Sequence, residues 1–100
     1  MTIDEQKIDK STVVLILTGR LDAANSQQLD AKFREYGEDI AELILDFENL
    51  DYISSMGLRV LLKEKKALKS VNRRLTIKNM RDSVREVFEI TGLLKPMMQD

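Results

Sequence analysis

Apolar positions along the chain fall in short blocks separated by charged segments, and their period changes from block to block. Residues 13–17, VVLIL, form a continuous β-branched run that Gly19 ends, the pattern of a strand buried on both faces. Upstream, Ile3 and Ile8 sit in a polar stretch that suits an edge strand, with Lys10-Ser11 as the hairpin turn. Leu29, Phe33 and Tyr36 then recur at i, i+4 and i+7, one stripe of an amphipathic helix. Asn25 and Gln28 have capping-box spacing at its start, and Gly37 marks its stop. ELILDF, residues 42–47, is a second buried strand, and ENLDYI, residues 48–53, is read as its connection. Residues 55–70 read as a helix that Asn72 ends, and LTIKN, residues 75–79, as a third core strand. Ser83 and Glu86 repeat the capping-box spacing beside the apolar stripe Val84, Val87 and Phe88, and Gly92 supplies the C-terminal cap position. In the tail LLKPMMQD, residues 93–100, Pro96 denies both a regular helix and a central strand.

The predicted order is β-β-α-β-α-β-α-tail. Strands alternating with helices need crossover connections, which predicts an α/β fold: a partly parallel, mixed sheet of four to five strands with helices packed on it. No repeat, linker or low-complexity segment interrupts the chain, so residues 1–100 read as a single domain.

Composition narrows the chemistry. The net charge of −1 lacks the basic excess of nucleic-acid domains, so no direct nucleic-acid partner is expected. The chain has no cysteine and no histidine, which removes disulfides, thiolate metal sites, the commonest general base and the Ser-His-Asp triad. No cofactor or metal is implied. The polar start MTIDEQKIDK has no signal-peptide core, and the longest apolar run, VVLILTG, is far short of the ~20 residues of a membrane helix. A cytoplasmic protein without membrane attachment is expected.

Candidate chemistry concentrates at DYISSMGLRVLL, residues 51–62. Serine is a strong N-cap residue because its hydroxyl accepts from an amide left unpaired in the first turn. With Ser54 as the cap, bonded to the amide of Met56 or Gly57, Ser55 becomes the first helical residue and its hydroxyl is free. A phosphate on Ser55 suits the partial positive charge of a helix start and needs no unfolding. Its charge, about −1.5 to −2 at neutral pH, joins the nearby acids Asp46, Glu48 and Asp51 and confronts any partner shaped for a neutral surface. Gly57 in the first turn costs ~1 kcal/mol relative to Ala, which points to close backbone packing. Met56 is read as a packing or contact residue. Leu58, Val60, Leu61, Leu62, Leu68 and Val71 form a wide apolar face. The cations Lys63, Lys65, Lys66, Lys69, Arg73 and Arg74 complement the dipole at the other end of this helix.

Three segments, in order and at matching spacing, resemble the STAS domain of bacterial anti-sigma factor antagonists. VVLILTGRLDAANS resembles the family's second strand, its T-G-x-L-D loop and first helix. ELILDFENLDYISSMGLRVLL resembles the third strand, the [DS]-S-x-G-L signature and the second helix. LTIKNMRDSVREVFEITGLLK resembles the fourth strand and the helix ending in T/S-G-L. The resemblance implies a non-enzymatic regulator. Its unphosphorylated form binds an anti-sigma factor Ser/Thr kinase of histidine-kinase-like ATPase fold and so releases a sigma factor. Phosphorylation of the serine two before the motif glycine, here Ser55, prevents binding, and a PP2C-type phosphatase reverses it. Asp22 falls where the family has a loop Asp near that serine, and Asp22, Ser54, Ser55, Met56, Gly57 and Arg59 are the implied partner-binding residues.

Two positions depart from the better-known pattern: Ser54 replaces an Asp, and Met56 replaces a second hydroxyl residue, which bears on which kinase is recognised. Many members also continue with a further strand and helix beyond the point corresponding to Asp100. The alternative is a STAS interaction or scaffold domain in another signalling complex, not switched by phosphorylation. An enzyme with Ser55 as nucleophile lacks any motif that positions a base.

Overall fold

A computed structural model describes residues 1–98. Its sheet has four strands in sequential order: β1 (Thr2–Lys7), β2 (Thr12–Leu21), β3 (Glu42–Ile53) and β4 (Arg74–Lys78). β1 runs antiparallel to β2, while β2, β3 and β4 are mutually parallel. The β1–β2 hairpin is short enough for a tight turn. Ile8 lies in that turn rather than in the strand, its amide donating to Thr12 O at 3.0 Å, and Asp9 Oδ1 accepts from the Ser11 amide at 2.8 Å. Each parallel connection carries a helix: α1 (Ser26–Phe33) between β2 and β3, and α2 (Ser55–Lys69) between β3 and β4. The chain continues through α3 (Asp82–Ile90) and α4 (Leu94–Met98).

Helices cover one face of the sheet. Val13, Leu15 and Leu17 of β2, Leu43 and Leu45 of β3, and Leu75 and Ile77 of β4 share one core cluster with Leu29, Phe33, Leu58, Leu61, Val84, Phe88 and Met97. The alternate residues Ile16 and Ile44 are only half-buried, so β2 is not enclosed on both faces as its unbroken apolar run predicts. Val14 is 2% exposed although it stands outside that cluster, because it pairs with Gln6 on one side and Ile44 on the other. A central strand is thus screened by its neighbours without a second helical layer.

Both central strands run past their predicted ends. Gly19, with φ +104°, sits inside β2, which continues to Leu21. Residues 48–53 extend β3 rather than connect it to α2. Two register shifts, between Ile16 and Thr18 and between Gly19 and Arg20, give β3 one extra residue each time. Such bulges break the two-residue period, and Phe47, Leu50 and Ile53 reach the core at three-residue spacing.

Both predicted capping boxes fail. Asn25 precedes α1, but its side chain closes the loop before the helix: Oδ1 accepts from the Asp22 amide at 2.8 Å and Nδ2 donates to Arg20 O at 2.6 Å. Gln28 instead donates to Met1 O at 3.0 Å. α1 stops at Phe33, before Gly37, and Tyr36 leaves the stripe to donate its hydroxyl to Glu5. In α3, Ser83 is already helical because the helix starts at Asp82. The predicted C-terminal cap holds: Gly92, φ +74°, donates to Glu89 O at 3.1 Å and Leu93 donates to Phe88 O at 2.9 Å, a Schellman motif. The tail is also more regular than Pro96 suggests. Proline fits the first turn of a helix, where its missing donor costs nothing, and α4 buries Met97. Tail positions 99–100 lie outside the described residues. Among the described residues, no helix is long and apolar enough to cross a membrane.

Candidate functional site

β2 and β3 end together, and this common end is built from three short hydrogen bonds. Leu21 pairs with Ile53, so Asp22 and Ser54, the next residue of each strand, emerge side by side. The Ser54 amide donates to Leu21 O at 2.9 Å, and Ser54 takes an extended conformation, φ −90° and ψ 168°. From there its Oγ accepts from the Gly57 amide at 3.1 Å, while Leu58 N–H donates to Ser54 O at 3.0 Å and opens α2. A cap of this kind contributes about 0.5–2 kcal/mol. The hydroxyl of Ser54 is therefore committed to structure.

Ser55 is exposed at the first helical position. With the Gly57 and Leu58 amides paired, the donors left by the first turn are those of Ser55 and Met56. They stand beside the Ser55 side chain at the positive end of a 15-residue helix. Arg59, also exposed, follows four residues later on the same helical face.

Gly57 holds this geometry from beneath. A Cβ there would meet Leu21 O at 2.8 Å, Leu21 Cγ at 3.0 Å and Ile53 Cγ1 at 3.1 Å. The glycine is buried and seats the helix on the strand ends. Asp22 is half-buried and shapes the adjoining loop, its Oδ1 accepting from the amides of Ala24 at 3.1 Å and Asn25 at 3.2 Å. The other acids are less available than the sequence suggests. Asp46 is 8% exposed and accepts from Glu48 N and Asn79 Nδ2, and Asp51 is paired with Arg81 at 2.6 Å.

Two features near the ends of these elements were not predicted. Arg20 and Tyr52 pair across the extended ends of β2 and β3, and the guanidinium carbon lies 4.2 Å from the ring centroid. Tyr52 is 39% exposed, giving this edge an aromatic contact backed by a cation. The only signal in the sequence was an aromatic residue in a segment read as a connection. On the other side, Met56, 44% exposed, and the half-buried Val60 border a hollow of ≈ 540 Å³ between α2 and α1, with Asp30, Arg34 and Lys63 among its lining residues. Of the predicted wide apolar face, Leu58, Leu61 and Leu68 enter the core, while Val71 is exposed.

The same helix pair contains a coupled carboxyl pair. Burial, then the hydrogen bond and negative charge of Asp30, push Glu64 up to about 7. The hydrogen bond from Glu64, reinforced by Arg34 at 2.8 Å, holds Asp30 below its ordinary value. Glu64 binds its proton more tightly folded than unfolded, so its contribution is full below the ordinary 4.5 and is lost as pH rises toward 7. Between pH ~5 and ~8 the protein should lose about 1 kcal/mol after allowance for solvent screening. The lowered Asp30 acts only in more acidic solution. Glu64→Gln should flatten that slope in urea denaturation, and an unchanged slope would dismiss the shared proton.

The model of the STAS domain family matches residues 5–98. The chain belongs to the STAS domain family. This STAS chain is 39% identical over 95 residues to a Bordetella bronchiseptica protein named as an anti-sigma factor antagonist, BtrV, an alignment covering 94% of this chain and 81% of the relative. Its fold matches the anti-sigma factor antagonist SpoIIAA in its unphosphorylated form with a TM-score of 0.81 and 30% identity, over 99% of this chain and 87% of SpoIIAA. The phosphorylated form of the Bacillus cell-fate determinant SpoIIAA matches with a TM-score of 0.71 and 29% identity, over 99% of this chain and 90% of that one. Both BtrV and SpoIIAA are named as anti-sigma factor antagonists.

Proposed function

We propose that this STAS chain is an anti-sigma factor antagonist switched by phosphorylation of Ser55. In its unphosphorylated form it binds an anti-sigma factor Ser/Thr kinase of histidine-kinase-like fold and frees the sigma factor. Transfer of the γ-phosphoryl group of ATP to Ser55 Oγ, with loss of the hydroxyl proton, ends that binding, and a PP2C-type phosphatase hydrolyses the ester. The observation that carries this reading is the inequality of the two serines. Ser54 Oγ is taken by the Gly57 amide, whereas Ser55 is exposed at the helix start. The match to SpoIIAA, a protein known in unphosphorylated and phosphorylated forms, supports it.

The partner surface in this reading comprises Asp22, Met56 and Arg59 around Ser55, with Arg20 and Tyr52 beside them. Met56 stands where better-known members carry a hydroxyl residue, and its exposure makes it the position that selects the kinase. Incubation with a cognate anti-sigma factor Ser/Thr kinase and ATP should add one phosphate. Ser55→Ala should abolish the mass shift, and Ser54→Ala should retain it. A phosphate that persists in Ser55→Ala would refute the assignment.

A further inference from the structure

The sheet face turned away from the helices has a pattern of its own. In the strand register, Gln6, Val14, Ile44 and Thr76 form one row across it, and Asp4, Ile16, Asp46 and Lys78 form the next. These positions alternate with those of the core cluster, so their side chains stand on the uncovered face. On β1 the residues between them confirm the alternation. Ile3 packs against the core, and Glu5 meets Tyr36 on the helix side.

Antiparallel sheets often leave one face to water, but parallel strands are normally covered on both. Here β2, β3 and β4 are parallel and share one bare face. Its centre is apolar, with Ile16 on β2 and Ile44 on β3 both half-buried. The acids of β3 are satisfied within the chain: Glu42 accepts from Thr76, and Asp46 from Glu48 N and Asn79 Nδ2. The charges at the two borders are not. Asp4 on β1 and Lys78 on β4 are exposed, and neither has an ion pair among the described residues.

Opposite charges at opposite ends of one row make this face complementary to itself. A two-fold axis parallel to the strands, passing between β2 and β3, lays β1 of each copy on β4 of the other and β2 on β3. Ile16 and Ile44 then meet across the axis, and Asp4 of each copy faces Lys78 of the other. Each contact is made twice, as a two-fold interface requires. An axis across the strands would stack β1 on β1 and β4 on β4, placing each border against its own charge. The charge pattern therefore selects the first arrangement.

We propose that a second copy of this chain covers the open sheet face, in a two-fold dimer joined by Ile16 and Ile44 and by two Asp4–Lys78 pairs. Four strands and about five residues along each give a patch of about 15–20 Å each way. That is below the roughly 800 Å² per partner of a standard stable interface, so the dimer is weak, with a dissociation constant on the order of 100 μM. It uses none of the residues around Ser55 and stands or falls independently of the switch.

Sedimentation equilibrium of the full chain up to about 1 mM should show reversible dimerisation that added salt weakens. Asp4→Lys and Lys78→Glu each put like charges in both pairs and should raise the dissociation constant at least tenfold, with unchanged melting in dilute solution. Mixed in equal amounts, the two variants should associate again, because both pairs of the mixed dimer are then opposite in charge. The double variant, whose net charge equals that of the wild type, should dimerise like the wild type. A chain that stays monomeric at about 1 mM would leave the face to a different protein and overturn the proposal. Single variants that dimerise like the wild type, or a mixture and double variant that do not recover, would overturn it too.

Discussion

Replacing Gly57 by alanine should destabilise the protein by about 1–3 kcal/mol, against the intrinsic preference of a helix for alanine. Propensity alone favours the substitution by ~1 kcal/mol. The new methyl group, however, would stand 2.8 Å from Leu21 O, and a backbone carbonyl cannot rotate aside like a side-chain end. That carbonyl also accepts from Ser54 N at 2.9 Å, so displacing it breaks the bond that joins the β2 end to the helix cap. Overpacking of this kind costs about 1–3 kcal/mol and the displaced hydrogen bond about 0.5–1.5 kcal/mol more, so the clash outweighs propensity. Thermal melting should fall by roughly 5–15 °C for a domain of this size. Gly92→Ala provides the contrast: nothing lies within 4 Å of its added methyl, and only the φ of +74° opposes it, at about 1 kcal/mol. Equal losses at the two glycines would contradict the packing role of Gly57.

The same contacts explain which features could be read without coordinates. The Ser54 cap is local, fixed by three consecutive residues and a helix start, and it formed as the sequence predicts. Asn25 and Ser83 had equally good local spacing, yet tertiary demands displaced both. Asn25 is held by Arg20 O and Asp22 N, and Ser83 lies one residue inside a helix that began earlier. Strand lengths were hidden for a different reason. Two bulges change the inward positions of β3 from every second residue to every third, so Phe47, Leu50 and Ile53 lost the alternation that marks a strand. Losing those residues also concealed the Arg20–Tyr52 stack, because that pairing exists only in the extended register. Lys65 was hidden by its type, since a lysine on a helix reads as solvated until its ammonium is found against Leu75 O.

Ser55→Asp should reduce affinity for the anti-sigma kinase at least tenfold while leaving the fold intact. The aspartate adds a full negative charge at an exposed first-turn position, where the helix dipole favours it by about 0.3–1 kcal/mol. Urea denaturation should therefore show equal or slightly higher stability. Binding responds in the opposite sense. A partner that fits a neutral hydroxyl must desolvate or repel the new carboxylate, and unfavourable charge juxtaposition at an interface costs several kcal/mol. Phosphoserine, with about −1.5 to −2 charges, should act more strongly than aspartate. Arg59, one turn along, can lie against the added charge within the free chain and hold it on the surface that the kinase must approach. Calorimetric titration of the kinase with wild type, Ser55→Asp and Ser55→Ala separates the possibilities. The switch requires Ser55→Ala to bind like wild type and Ser55→Asp to bind weakly. Equal affinity of all three would leave the fold as an unswitched interaction domain, with Ser54 as its structural serine and no regulatory role for Ser55.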